Sequence, residues 1–125
     1  MERRDGLEPN VAPRLSELAE QAGEDLIIEL SELFAQDTPE RIAAVRTAVD
    51  ERDPDALHLA AHSLKGSALN MGATAFADIC QQLESIGGRG SLDGAAALVA
   101  ELERRGPMVV AAVKAALLAV APQDS

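Results

Sequence analysis

The chain has no tryptophan and no tyrosine, and Phe34 and Phe76 are its only aromatic residues in 125 positions. A core without aromatic bulk has to be aliphatic and Ala-rich. Ala, Leu, Glu and Arg dominate, which favours helix over strand. Cys80 is the only cysteine, so no intrachain disulfide can form. It falls on an apolar helical stripe and reads as a small core residue. Positive charge is scarce as well: 11 Lys and Arg against 21 Asp and Glu leave a formal net charge of −10. Neutralising nucleic-acid phosphates needs clustered cations, so this balance argues against binding nucleic acid, and equally against an anionic membrane. No uninterrupted apolar stretch reaches the ~18 residues of a membrane span; the run from Met108 to Ala121 is shorter and contains Lys114. The first residues, Met1-Glu2-Arg3-Arg4-Asp5, lead into no apolar run and do not read as a signal peptide. A single cytoplasmic domain is the expectation.

What is present is helical periodicity. Residues 1–10 are charged, contain Pro9 and read as a loose tail. A short first helix is expected over Val11 to Ala22, ended by Gly23. A second runs from Glu24 to Gln36, with Leu26, Ile27, Leu30, Leu33 and Phe34 on one stripe. Thr38-Pro39-Glu40 has the form of an N-cap, an N1 proline and an acidic first turn, so it opens a third helix. Asp53-Pro54-Asp55 repeats that signal for a fourth helix, and Gly72 fits the position just past its end. A fifth covers Ala73 to Ile86, with Phe76, Ile79, Cys80, Leu83 and Ile86 inward. Gly87-Gly88 and Gly90 read as a loop. The last helix begins near Ser91 or Leu92. Its apolar residues keep phase across Gly106-Pro107, which predicts a kinked but continuous helix. The fold class is all-α: an antiparallel four-helix bundle core over residues 11–121, with a short additional N-terminal helix, a long C-terminal helix and a tail at 122–125.

The fourth helix carries the chemistry. At 100° per residue from Leu64, Leu57, Ala60, Ala68 and Met71 fall within about 40° and Ala61 at about 60°, forming a core stripe. His62 and Gly66 fall about 160° away, on the solvent side. Asp55, His58, Leu59 and Leu69 share that outer half, and Lys65 lies toward its edge. Leu59 and Leu69 thus make an apolar collar around a titratable nitrogen, the form of a docking patch. Of the 11 basic residues only Lys65 and Lys114 are lysines. Gly66 costs about 1 kcal/mol relative to alanine in a helix interior, which close approach to the neighbouring imidazole would explain. His58 and His62 at i, i+4, with Asp55 a turn earlier, also have the spacing of metal ligands. Zinc-hydrolase helices of that spacing carry glutamate directly after the first histidine, where this chain has Leu59. No metal site is expected. His58 either modulates the patch or is an ordinary surface residue.

The stretch Ala61-His62-Ser63-Leu64-Lys65-Gly66-Ser67-Ala68, followed by Gly72, Cys80 and Leu83-Glu84, resembles the phosphoacceptor motif of histidine phosphotransfer (HPt) domains. The upstream Leu33-Phe34 and Thr38-Pro39-Glu40-Arg41 are similar to that family's second-to-third helix junction, and the resemblance extends over residues 11–120. It implies that His62 is phosphorylated, that Lys65 offsets the phosphoryl charge and that Gly66 leaves room for an incoming active site. Ser67 and His58 would be supporting residues, and Leu59, Leu69 and Asp55 would dock a receiver domain. Glu84 stands where some members have glutamine. A carboxylate there could orient the imidazole N–H or repel the phosphoryl dianion, and a plain solvated glutamate is the other reading. The implied function is relay of a phosphoryl group between aspartates of response-regulator receiver domains, or from a hybrid sensor kinase. The receiver would bring Mg²⁺, and the chain would have no cofactor of its own. With no P-loop and no Gly-rich nucleotide box, it reads as a monomeric phosphocarrier that does not phosphorylate itself from ATP. Two alternatives stand beside this: the histidine-bearing module of a chemotaxis-type kinase, and a bundle that binds receivers without transfer.

Overall fold

The structure is a computed structural model and describes residues 8–120. It contains α1 (Val11–Ala22), α2 (Glu24–Asp50), α3 (Pro54–Asn70), α4 (Thr74–Gly88) and α5 (Ala95–Val120), with no strand among the described residues. The ring α2–α3–α4–α5 closes through contacts between each neighbouring pair, and α1 lies against α5 and α2. Three-residue links before α3 and before α4 leave consecutive helices little choice but to run antiparallel. Phe34, Val45, Leu57, Leu64, Phe76, Leu83, Leu102 and Val109 fill the centre. No described helix is long and apolar enough to cross a membrane.

The expected break at Thr38-Pro39-Glu40 does not occur. The helix runs through Pro39 to Asp50. Ile27, Ser31, Phe34, Thr38, Ile42, Val45 and Ala48 are buried in one unbroken stripe. Burying both halves under one core outweighs the backbone bond that proline removes, at about 3 kcal/mol. Thr38, read as a cap, is buried, and its hydroxyl has no hydrogen-bond partner. Pro39 itself sits on the solvent side. The same balance keeps α5 continuous through Pro107, as its phase predicts. Two residues assigned to the inner stripe turn outward: Leu26 is 36% exposed and Leu33 46%. A helix that packs along one narrow stripe cannot bury five apolar residues in nine.

The start signal at α3 holds. Asp53 accepts a hydrogen bond from the Ala56 amide at 3.1 Å, and Pro54 opens the helix. Gly72 follows α3 with φ +79°, and a Cβ there would lie 2.6 Å from the Asn10 carbonyl oxygen. Gly87 and Gly88 belong to α4 rather than to a loop. A Cβ on Gly87 would lie 2.6 Å from Pro54 O and 2.7 Å from His58 N, so this glycine is a helix–helix contact. The last helix begins at Ala95, a few residues later than its periodicity suggests.

Residues 8–10 are part of the bundle and not of a tail. The Glu8 carboxylate is buried and accepts from the Ala75 and Phe76 amides at 3.0 and 2.8 Å, capping α4 from outside its own sequence. Asn10 Nδ2 donates to Thr74 Oγ1 at 2.9 Å. Burial raises the Glu8 carboxyl above its ordinary value, against the two amides that lower it. Residues 1–7 and 121–125, which include the expected tails and domain end, lie outside the described residues.

Candidate functional site

Gly87 sets the depth at which α3 meets α4, and the site is built on that contact. His58 Nδ1 lies 3.0 Å from the Glu84 carbonyl oxygen. A carbonyl can only accept, so His58 donates and joins the two helices. His58 is therefore a half-buried clamp rather than a surface residue. One turn on, His62 projects outward with 64% of its side chain exposed.

Glu84 reaches it from α4. His62 Nδ1 lies 3.0 Å from Glu84 Oε2, and Lys65 Nζ lies 2.7 Å from Oε1 of the same carboxylate. Lys65 also donates to Gln81 Oε1 at 2.9 Å, and Gln81 Nε2 donates to Ser85 Oγ at 3.1 Å. Glu84 is no solvated surface glutamate: its side chain is 13% exposed. The Lys65 ammonium, then the His62 imidazole, hold its carboxyl below the ordinary value despite partial desolvation. An ionised carboxylate accepts only, so Nδ1 donates to it, and in the neutral ring the lone pair is then on Nε2.

Gly66 sits beside His62 on the α3 surface, and a Cβ there would meet nothing within 4 Å. The open space is a cleft of about 450 Å³ between α3 and α2. His62, Ser63, Gly66 and Ser67 line one wall, and Leu33, Asp37 and Arg41 line the other. Arg41 donates to the Ser63 hydroxyl. Leu59 and Leu69 are exposed on α3, as the helical arithmetic requires, and Leu33 adds a leucine from α2. Asp55 is exposed and lines a separate groove with His58, Leu59, Gly87 and Gly88. Among the described residues, no three His, Cys, Asp or Glu side chains come together as a metal site. Cys80 is buried, and burial pushes its thiol up to about 12.

Sequence reasoning missed Leu33, Asp37, Arg41 and Gln81. The first three are spaced i, i+4, i+8 and share a face only if α2 continues through Pro39. Placing a helix break there divided them.

The Hpt domain family model matches residues 29–120. The chain belongs to the Hpt family. Among solved structures it is similar to the histidine-containing phosphotransfer protein B (HptB) from Pseudomonas aeruginosa PAO1. The two share 33% identity over 84% of this chain and 90% of that one, with a TM-score of 0.77. No curated protein matched in sequence. The family match begins at Glu29, so α1 and the Glu8 cap lie outside it. This Hpt domain is a histidine phosphotransfer protein of phosphorelays, built as an all-helical bundle.

Proposed function

We propose that His62 is the phosphoacceptor, and that the domain relays a phosphoryl group between aspartates of response-regulator receiver domains or from a hybrid sensor kinase. The observation that carries this is the Nδ1–Glu84 hydrogen bond at 3.0 Å: with Nδ1 donating, Nε2 is the nitrogen that carries the lone pair in the neutral ring, on a side chain that is 64% exposed. The Nε2 lone pair attacks the phosphorus of an aspartyl phosphate. The N–P bond forms as the P–O bond to the aspartate breaks, and the electron pair leaves on the carboxylate oxygen. No proton has to leave Nε2. The ring becomes cationic, and the Glu84 carboxylate beside Nδ1 stabilises that charge as it develops. Glu84 thus orients the imidazole, and its repulsion of the phosphoryl group is offset by Lys65 at 2.7 Å. An ammonium has three donors, so Lys65 keeps one for a phosphoryl oxygen after serving Glu84 and Gln81.

Gly66 admits the partner's active site, Ser67 lines that entrance, and His58 holds α3 against α4. The leucines Leu59 and Leu69, with Asp55 at one end, form the receiver-docking surface. The carboxylate nearest His62 is already engaged by Lys65, so these residues do not make a Mg²⁺ site, and the ion belongs to the receiver. The domain works as a monomeric carrier and completes the transfer with its partner's groups rather than with ATP.

Incubation with a phosphorylated receiver should label the protein, and ATP alone should not. The label should be acid-labile and alkali-stable, as a phosphoramidate is. Label persisting in His62→Gln would overturn the assignment.

A further inference from the structure

On the α2 side of His62 stands a second cation that the transfer chemistry above does not use. Arg41 Nη1 donates to Ser63 Oγ, on the residue after the phosphoacceptor, and Nη2 lies 3.8 Å from Asp37 Oδ2. The third nitrogen, Nε, is buried without a hydrogen-bond partner. The Asp37 pairing is long and both side chains are partly exposed, which makes it weak. Arg41 and His62 line the same cleft, and Gly66 lies between His62 and Ser63 on the α3 surface.

The charges at the site require a partner on that side. A phosphoryl group brings close to two negative charges. Lys65 is already matched by Glu84 at 2.7 Å, and Glu84 in turn faces the ring that becomes cationic on phosphorylation. Counting all four groups leaves about one negative charge on the phosphoryl group unmatched. In a chain of net charge −10 the surrounding field supplies no compensation. Arg41 is the lysine or arginine that lines the cleft. Its planar fork suits phosphate oxygens better than the single hydroxyl it now holds.

We propose that Arg41 is a second phosphoryl-binding cation of this Hpt domain: when His62 carries its phosphoryl group, the guanidinium turns from Ser63 and Asp37 to the phosphoryl oxygens and stabilises the phosphorylated form. The proposal rests on His62 being the phosphoacceptor. It divides the surroundings of His62 into an α4 side, where Lys65 and Glu84 manage the ring, and the α2 cleft, where Arg41 manages the group carried.

The test uses the full chain phosphorylated with phosphoramidate, a small donor that needs no partner protein. The phosphohistidine ³¹P resonance is followed against pH. A cation on the phosphoryl oxygens favours the dianion, so Arg41→Gln should move the second phosphoryl ionisation up by about half a pH unit, roughly threefold in the constant. Arg41→Lys should recover most of that shift, whereas an arginine that only supports the fold would alter the melting point and leave the titration in place. Superposed curves for the wild type and Arg41→Gln would overturn the proposal. Should Arg41→Gln not fold by circular dichroism, the ¹⁵N-labelled wild type decides. Its Arg41 Nε–H signal must move on phosphorylation, and an unmoved signal overturns the proposal. A wild type that takes no label at His62 would overturn the phosphoacceptor reading, and this inference with it.

Discussion

Gly66 and Glu84 show how single residues here trade stability against access. A Cβ at Gly66 would meet no atom within 4 Å and opens into the cleft, so a side chain there removes a helix defect with room to point outward. Gly66→Gln should therefore stabilise the fold by about 0.5 kcal/mol, read from the urea midpoint, while slowing phosphotransfer by about tenfold or more because the partner is kept at a distance. Glu84 works through charge. Its carboxyl is held below the ordinary value chiefly by Lys65, so it contributes stability that is present above the unfolded carboxylate range and is lost as pH falls through its folded value. Glu84→Gln should flatten the acid limb of the stability curve. It should also slow transfer by about tenfold, because the ring charge loses its carboxylate.

Elements are positioned by a few close contacts. Gly87 lets α3 and α4 approach until Pro54 O and His58 N lie 2.6 and 2.7 Å from where its Cβ would be. Gly87→Ala should cost about 2 kcal/mol, since backbone cannot yield as a flexible side chain can. By prying the helices apart it should also loosen the His58–Glu84 clamp and lower transfer, which paired urea melts and transfer assays would show. Pro39 does the reverse. It interrupts the hydrogen bonding of α2 on the solvent side, so Pro39→Ala should raise the melting temperature by strengthening the helix, by about 1 kcal/mol or more. The Glu8 cap ties the entry of α1 to the start of α4, and Glu8→Ala would leave two amides without their acceptor.

Across the whole molecule the carboxylates do not all push the same way. Glu84, Glu101 and Glu103 are held below their ordinary values, by Lys65, Arg105 and Arg46 respectively as the leading partners. Their contributions are lost as pH falls through their folded values. Glu8 is raised by burial, so its contribution is largest in acid and is lost as pH rises through its folded value. Three against one predicts that the urea midpoint falls below about pH 4, where lowered carboxylates take up protons. Arg46 also bridges α2 to α5, with two hydrogen bonds to Glu103 at 2.9 and 2.7 Å, so the acid transition should loosen that seam.

The amino-acid sequence by itself determined the all-helical class, the outward placement of His62, the inward placement of Leu64 and the continuity of α5. Each follows from local period and capping, which act within a few residues. The same local logic misread Pro39, because a start signal and an unbroken stripe disagreed there and only the packed core could choose between them. It also read Gly87 as a loop residue, since nothing in its neighbours announces a backbone from another helix. The tertiary structure alone decided that Glu84 bridges His62 and Lys65, that His58 is a clamp, and that Arg41 shares a cleft with His62. Those pairings all join residues far apart in sequence, Lys65 with Glu84 lying closest. Helical period assigns each residue a face, but the rotation and depth at which two helices meet are set by side-chain packing over the whole bundle.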